Sequence, residues 1–192
     1  MRWYNDLVVL VSRSAWLWIL SAVTAFGSLY FVFLNINVVF ESIVGAQMFD
    51  FQNALTTEEI FAQLPNYDER ARSLYSAFMF VDFFFPFFAG LTMAAAGAFA
   101  WRFLLPGIYA SIDARGLFGL FLIPTLFDWG ENVSALIVVG AYPDELAWAA
   151  NLLVIFKKGK LATVILAQTI VALSLLAAAG KWVASKIIGD AT

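Results

Sequence analysis

Four long stretches of the chain are filled almost entirely by apolar residues, and polar segments separate them. Uninterrupted apolar runs near 20 residues match a hydrocarbon core about 30 Å thick, at about 1.5 Å of helix rise per residue. The pattern predicts an all-α chain, a membrane-embedded four-helix bundle with spans over about 15–38, 73–101, 117–139 and 161–179. The start, "MRWYNDLVVLVSR", holds an apolar patch too short to span and reads as interfacial. The run that follows reads as a retained first helix rather than a cleaved signal peptide.

Between the first two spans lies a polar segment over 41–72, expected at the membrane surface. Within it, Thr56 or Thr57 ahead of Glu58 and Glu59 reads as a helix N-cap with an acidic first turn, and Pro65-Asn66 as the stop. In the second span, "MFVDFFFPFFAG" places Pro86 where its missing N–H should kink the helix. After the third span, Pro143, Asp144 and Glu145 suggest a new helix over 144–157. That helix is expected at the interface, because Lys157, Lys158 and Lys160 interrupt the apolar run there. Small residues at helical spacing, such as Gly90, Ala94 and Gly97, allow close helix packing. Aromatic belts are read at Trp16, Trp18, Trp101, Tyr109 and Trp182 on one face, and at Tyr142 and Trp148 on the other.

Composition strengthens the membrane reading: 62% of the 192 residues are hydrophobic and 13% are charged. A net charge of −3 lacks the basic face that nucleic acid requires. Cys and His are both absent. This excludes disulfides, thiol nucleophiles and the usual haem, chlorophyll and zinc ligands. No cofactor or metal is expected, although the bundle leaves room for bound lipid. Lys and Arg split six to five between the two faces, counting the termini on one face. The acidic residues of the 41–72 loop favour placing it outside, with both termini cytoplasmic.

The unusual feature is the set of polar groups inside the spans. Asp128, Glu131 and Asn132 stand at i, i+3 and i+4 and share one helix face. Asp82 and Gln168 fall at similar depth on the second and fourth helices when residues are counted from the same side, and Glu41 occupies the end of the first span on that side. A carboxylate at a helix centre costs roughly 2.5–3.5 kcal/mol even on lenient insertion scales. These groups should therefore face inward, with at least one carboxyl protonated, since no Lys or Arg is expected at their level. Glu41, Asp82, Asp128, Glu131, Asn132 and Gln168 are thus the candidate ligand-binding or buried polar residues. They form either a clasp that fixes helix register or the lining of a cavity. The Asn132-Val133-Ser134 sequon lies inside a span and is read as buried.

Tyr75, Asp82 and Pro86 on the second span, with Asp128, Glu131, Asn132, Tyr142 and Pro143 in and after the third, resemble a group of small four-helix bacterial membrane proteins. That likeness covers nearly the whole chain, and it implies an inner-membrane location but no activity. The chain is more distantly similar to the EXPERA group of sterol isomerases and the sigma-2 receptor. There the matching positions are Glu41 in "FES" and Asp82 in "VDFFFPFF". This second likeness implies a hydrophobic amine, sterol or lipid anchored by those two residues, while the Asp128/Glu131 pair departs from it.

Three roles follow from the sequence. One is a binding or accessory subunit that associates with other membrane proteins or with itself. The second is a small-molecule site in which the carboxylates could share proton transfer. The third is a proton-coupled carrier.

Overall fold

The computed structural model describes residues 1–189, and every regular element among them is helical. Nine α-helices follow in order: α1 (Arg2–Ser12), α2 (Ala15–Val32), α3 (Val38–Val44), α4 (Thr57–Gln63), α5 (Glu69–Asp82), α6 (Phe85–Leu104), α7 (Pro106–Ala114), α8 (Ile123–Ala141) and α9 (Ala147–Gly189). Short π and 3-10 turns join several of them into longer rods. Four rods are long and apolar enough to cross a bilayer: Ala15–Val44, Glu69–Leu104, Leu117–Ala141 and Ala147–Ile187. By helix length and composition the chain is a multi-pass membrane protein. Its outer faces carry exposed Trp16, Leu20, Phe26, Phe80, Leu166 and Leu176, as a surface solvated by lipid would.

Two features of local sequence interrupt the rods. Phe33–Asn37 forms a π-helical turn, whose extra residue per turn rotates the following side chains and leaves Asn37 buried. In the second rod the helix breaks at Phe83-Phe84, and Pro86 occupies the first turn of α6. Pro86 has no N–H to offer the carbonyl of Asp82, so α5 ends there. Helix α8 covers the break: the Trp129 indole donates to the Phe83 carbonyl at 2.8 Å, and the Thr125 hydroxyl to the Pro86 carbonyl at 3.0 Å.

Helices α8 and α9 form an antiparallel hairpin, and α9 also packs along α6. Two reciprocal contacts set the hairpin's register. The Phe127 ring lies on Gly159, and the Phe156 ring lies on Gly130, where an added Cβ would stand 2.8 Å from it. The glycines let two bulky rings sit inside the interface rather than prop it open.

One core gathers Phe40, Met48, Phe49, Ile60, Leu64, Tyr67, Tyr75 and Phe78 with α8 and α9 residues, at the end of the bundle that holds the loop between α3 and α5. A second core joins α1 to α6 and the Leu117–Leu122 turn through Tyr4, Val8, Leu91, Ala95 and Phe118. Helix α1 is therefore packed into the bundle, and Asn5 ties it down by bonding Asp113 and the Phe118 N–H.

Several boundaries differ from the sequence reading. The expected interfacial helix over 144–157 and the fourth span are one helix of 43 residues. The lysines do not interrupt it, because Lys157 and Lys160 point inward and are paired. The loop over 41–72 does not merely lie at the surface: its Met48–Phe51 portion is drawn into the core. Helix α4 carries the capping box of Thr56 and Glu59, and a 3-10 turn through Pro65 and Asn66 closes it. Trp18 and Trp101 turn their indole N–H groups inward, to the Thr92 carbonyl and the Ser174 hydroxyl.

Replacing Gly159 by valine should force α8 and α9 apart and destabilise the fold by about 1–3 kcal/mol, the usual range for overpacking. Thermal melting in detergent, followed by far-UV circular dichroism, checks this. Adding Phe127→Ala to Gly159→Val should recover part of the loss; no recovery would assign the strain elsewhere.

Candidate functional site

Four elements deliver polar side chains to one level inside the bundle. Asp82 is the last residue of α5, left there by the helix break. Asp128, Glu131 and Asn132 project from the inner face of α8, and Lys157 and Lys160 from the facing side of α9. The fourth element is the loop after α3. Gly45 ends α3 in the left-handed conformation (φ 77°), which favours glycine. The Oδ1 of the buried Asn37 side chain then accepts the Met48 N–H, and a 3-10 turn over Phe49–Phe51 places Asp50 against the lysines.

The geometry is that of a small ionic lattice. Lys157 Nζ lies 2.7 Å from Glu131 Oε1 and donates to the Asp50 carbonyl at 3.2 Å. Lys160 Nζ reaches Glu131 Oε2 at 2.5 Å, Asp128 Oδ1 at 2.9 Å and Asp50 Oδ1 at 3.3 Å. Asn132 extends the network, donating to Asp82 Oδ2 at 2.8 Å and to Asp128 Oδ2 at 3.4 Å. The pairs are shielded from water: the Lys157 side chain is 2% exposed and that of Glu131 0%. Isolated charges would not be stable in such a setting, which is why each lysine is held by carboxylates.

Aromatic rings wall off the loop side. Phe40, Phe49, Tyr67 and Tyr75 pack with centroids 5.1 to 5.9 Å apart. Burial raises the Tyr67 hydroxyl above its ordinary pKa of 10.0, with the nearby Asp50 charge adding to it, so the group stays neutral.

On the opposite side the lattice meets a cavity. A space of about 470 Å³ lies between α2, α6, α8 and α9. Trp18, Phe26, Phe85, Met93, Phe121 and Val164 supply an apolar wall, and Asp128 and Lys160 form its charged end.

The structure therefore brings together four of the six residues singled out from sequence: Asp82, Asp128, Glu131 and Asn132. Gln168 is a correction only as a member of the buried network, from which it is absent: it is exposed along α9 and lines the cavity beside Asp128 and Lys160. Glu41 is a second correction. It is exposed on α3, because the π-turn just before it rotates Asn37, rather than Glu41, toward the core.

Sequence reasoning missed Asp50, Lys157 and Lys160, having placed no cation at this depth. The lysines could have been found from hairpin symmetry, since residues equidistant from the turn near Pro143 must face one another. Asp128 and Glu131 mirror Lys160 and Lys157 about that turn. No local signal marks Asp50.

These features define a helical membrane protein with an ion-paired interior that abuts a lateral cavity. No known protein family, characterised protein or solved structure matches the chain.

Removing one partner from this lattice should be far more damaging than removing a surface charge. Lys160→Met should lower stability by about 3–5 kcal/mol, the range for breaking a buried ion pair. Lys158→Met, at an exposed position two residues away on another face of α9, should stay within about 0.5 kcal/mol. Unfolding by sodium dodecyl sulfate titration, read by tryptophan fluorescence, compares the two; equal losses would remove the lattice as the organising element.

Proposed function

We propose that the protein binds a small amphiphile, admitted sideways from the bilayer into the cavity between α2, α6, α8 and α9. The observation that carries this reading is an apolar cavity of about 470 Å³ with a carboxylate and an ammonium group at one end. A largely apolar concavity with a few convergent polar groups is the usual form of a small-molecule site. The ligand would have an aliphatic or polycyclic body set against Trp18, Phe26, Phe85 and Phe121. Its head would carry a hydroxyl or amide, able to donate to Asp128 and to accept from Lys160. Lipids and sterols meet that description.

The EXPERA likeness implies a ligand of this class but names Glu41 and Asp82 as its anchors. In this chain Asp128 and Lys160 are the anchors, because Glu41 is remote from the cavity and Asp82 stands behind Asn132. The role is binding, and it would suit an accessory subunit that holds a lipid within a larger membrane assembly.

Native mass spectrometry of the full chain released from mild detergent tests the reading. The wild type should carry one retained adduct of lipid mass. Ala89→Phe, which fills the cavity, should lose it, whereas Ala162→Phe on the exposed face of α9 should keep it. Equal retention in both variants, or no adduct on the wild type, would refute the proposal.

A further inference from the structure

A second cavity lies where the corner between α1 and α2 meets α6 and α9. It measures about 530 Å³, within the range of about 300–1,000 Å³ usual for small-molecule sites. Trp18, Phe99 and Leu175 give it an apolar wall, and Arg13, Ser14 and Arg102 give it a polar rim. We propose that it holds one anionic glycerophospholipid, with the phosphate gripped between Arg13 and Arg102 and the upper acyl chains against the apolar wall.

The charge on this lining is one-sided. No Asp or Glu lines the cavity, and neither arginine pairs with a carboxylate among the described residues. Other basic groups at this end of the bundle are already engaged: Arg2 by Asp6 and the carbonyls of Asp113 and Ala114, Lys181 by the carbonyls of Phe103 and Leu104. Arg102 is held in place by one bond to the neutral Ser12 carbonyl at 3.2 Å and by the Phe99 ring, 5.8 Å from its centroid. That uses one of five N–H donors and leaves the charge unmatched. A guanidinium offers a phosphate two parallel N–H bonds, so two arginines on one cavity suit a phosphodiester. The Ser14 hydroxyl accepts the Leu17 N–H at 3.4 Å and keeps its own hydrogen to donate.

Depth identifies the anion as a lipid headgroup. Arg13 stands two positions before Ala15, where one span begins, and Arg102 two positions before Leu104, where the next ends. Exposed Trp16 marks the same level, as interfacial aromatic residues do. From there the lining runs inward along α6 through Phe99 to Ala95, in the direction an acyl chain would take. Basic pockets between membrane helices are a recurring way of holding anionic lipid. A choline or ethanolamine headgroup would bring an ammonium group that no carboxylate in this lining receives, which selects lipids of net negative charge.

This inference does not rest on the amphiphile proposed above. The two cavities share Trp18 and Ala96, but the arginine-rimmed one does not reach Asp128 or Lys160. The full chain, delipidated in mild detergent, is titrated with phosphatidylglycerol or phosphatidylcholine of identical acyl chains and read by native mass spectrometry. One phosphatidylglycerol per chain should bind about tenfold or more tighter than phosphatidylcholine, as charge-assisted bonds to a phosphate predict. Arg13→Gln combined with Arg102→Gln should abolish the preference, and Lys186→Gln, at an exposed position near the same end of the bundle, should keep it. Ala89→Phe, which fills only the other cavity, should keep it too, so the two readings fail separately. As a check that needs no variant, phosphatidylglycerol should raise the melting midpoint of the wild type more than phosphatidylcholine does. Equal binding or equal stabilisation by the two lipids, a preference that survives in the double variant or vanishes in Lys186→Gln, or displacement of the lipid by millimolar inorganic phosphate would overturn the proposal.

Discussion

The ammonium group of Lys160 is the junction on which the interior depends. It touches Glu131 and Asp128 on α8 and Asp50 on the loop, and through Asp128 and Asn132 it is linked to Asp82 on α5. In a medium of low dielectric these pairings are long-lived, because each separation would strand a charge without water to receive it. Buried ion pairs are seldom better for stability than well-packed hydrocarbon of the same volume. Their effect here is to fix relative position, since carboxylates from α8 and from the loop can satisfy one ammonium group only at a single register.

Several local features exist to make that register possible. Gly130 and Gly159 accept the rings of Phe156 and Phe127, which brings α8 and α9 close enough for short ion pairs. The helix break at Phe83-Phe84 ends α5 at Asp82, and Trp129 and Thr125 bond the carbonyls of Phe83 and Pro86 on either side of it. The π-turn and Gly45 direct the chain back into the bundle, so that Asp50 arrives from a segment that hydropathy alone would assign to the surface. Irregular backbone at membrane depth is tolerated where protein encloses it, and the aromatic wall of Phe40, Phe49, Tyr67 and Tyr75 does so here.

Charge and cavity meet at Asp128 and Lys160, the two lattice members that also line the space between α2, α6, α8 and α9. A molecule bound in that space would touch the same ammonium group that holds the loop. Binding from the bilayer could therefore be felt at Asp50 through a single shared group, without any change in helix packing. Intramembrane ionisable residues generally mark sites of this sort rather than scaffolding.

The sequence alone determined the fold class and the location of four spans, because the length of an apolar run is a local property that accumulates residue by residue. It also singled out Asp82, Asp128, Glu131 and Asn132, since charge inside such a run stands out against its neighbours. Tertiary structure alone decided what those residues face. Lys157 and Lys160 looked like an interruption of helix because hydropathy adds each charge separately, whereas the free energy of a charge depends on its partner. Glu41 and Asp50 show the same limit from opposite sides. One was expected inside and lies exposed, the other sits in a polar loop and is drawn inward. The rotation of a π-turn and the path of a loop are set by packing against distant segments, which no window of sequence contains.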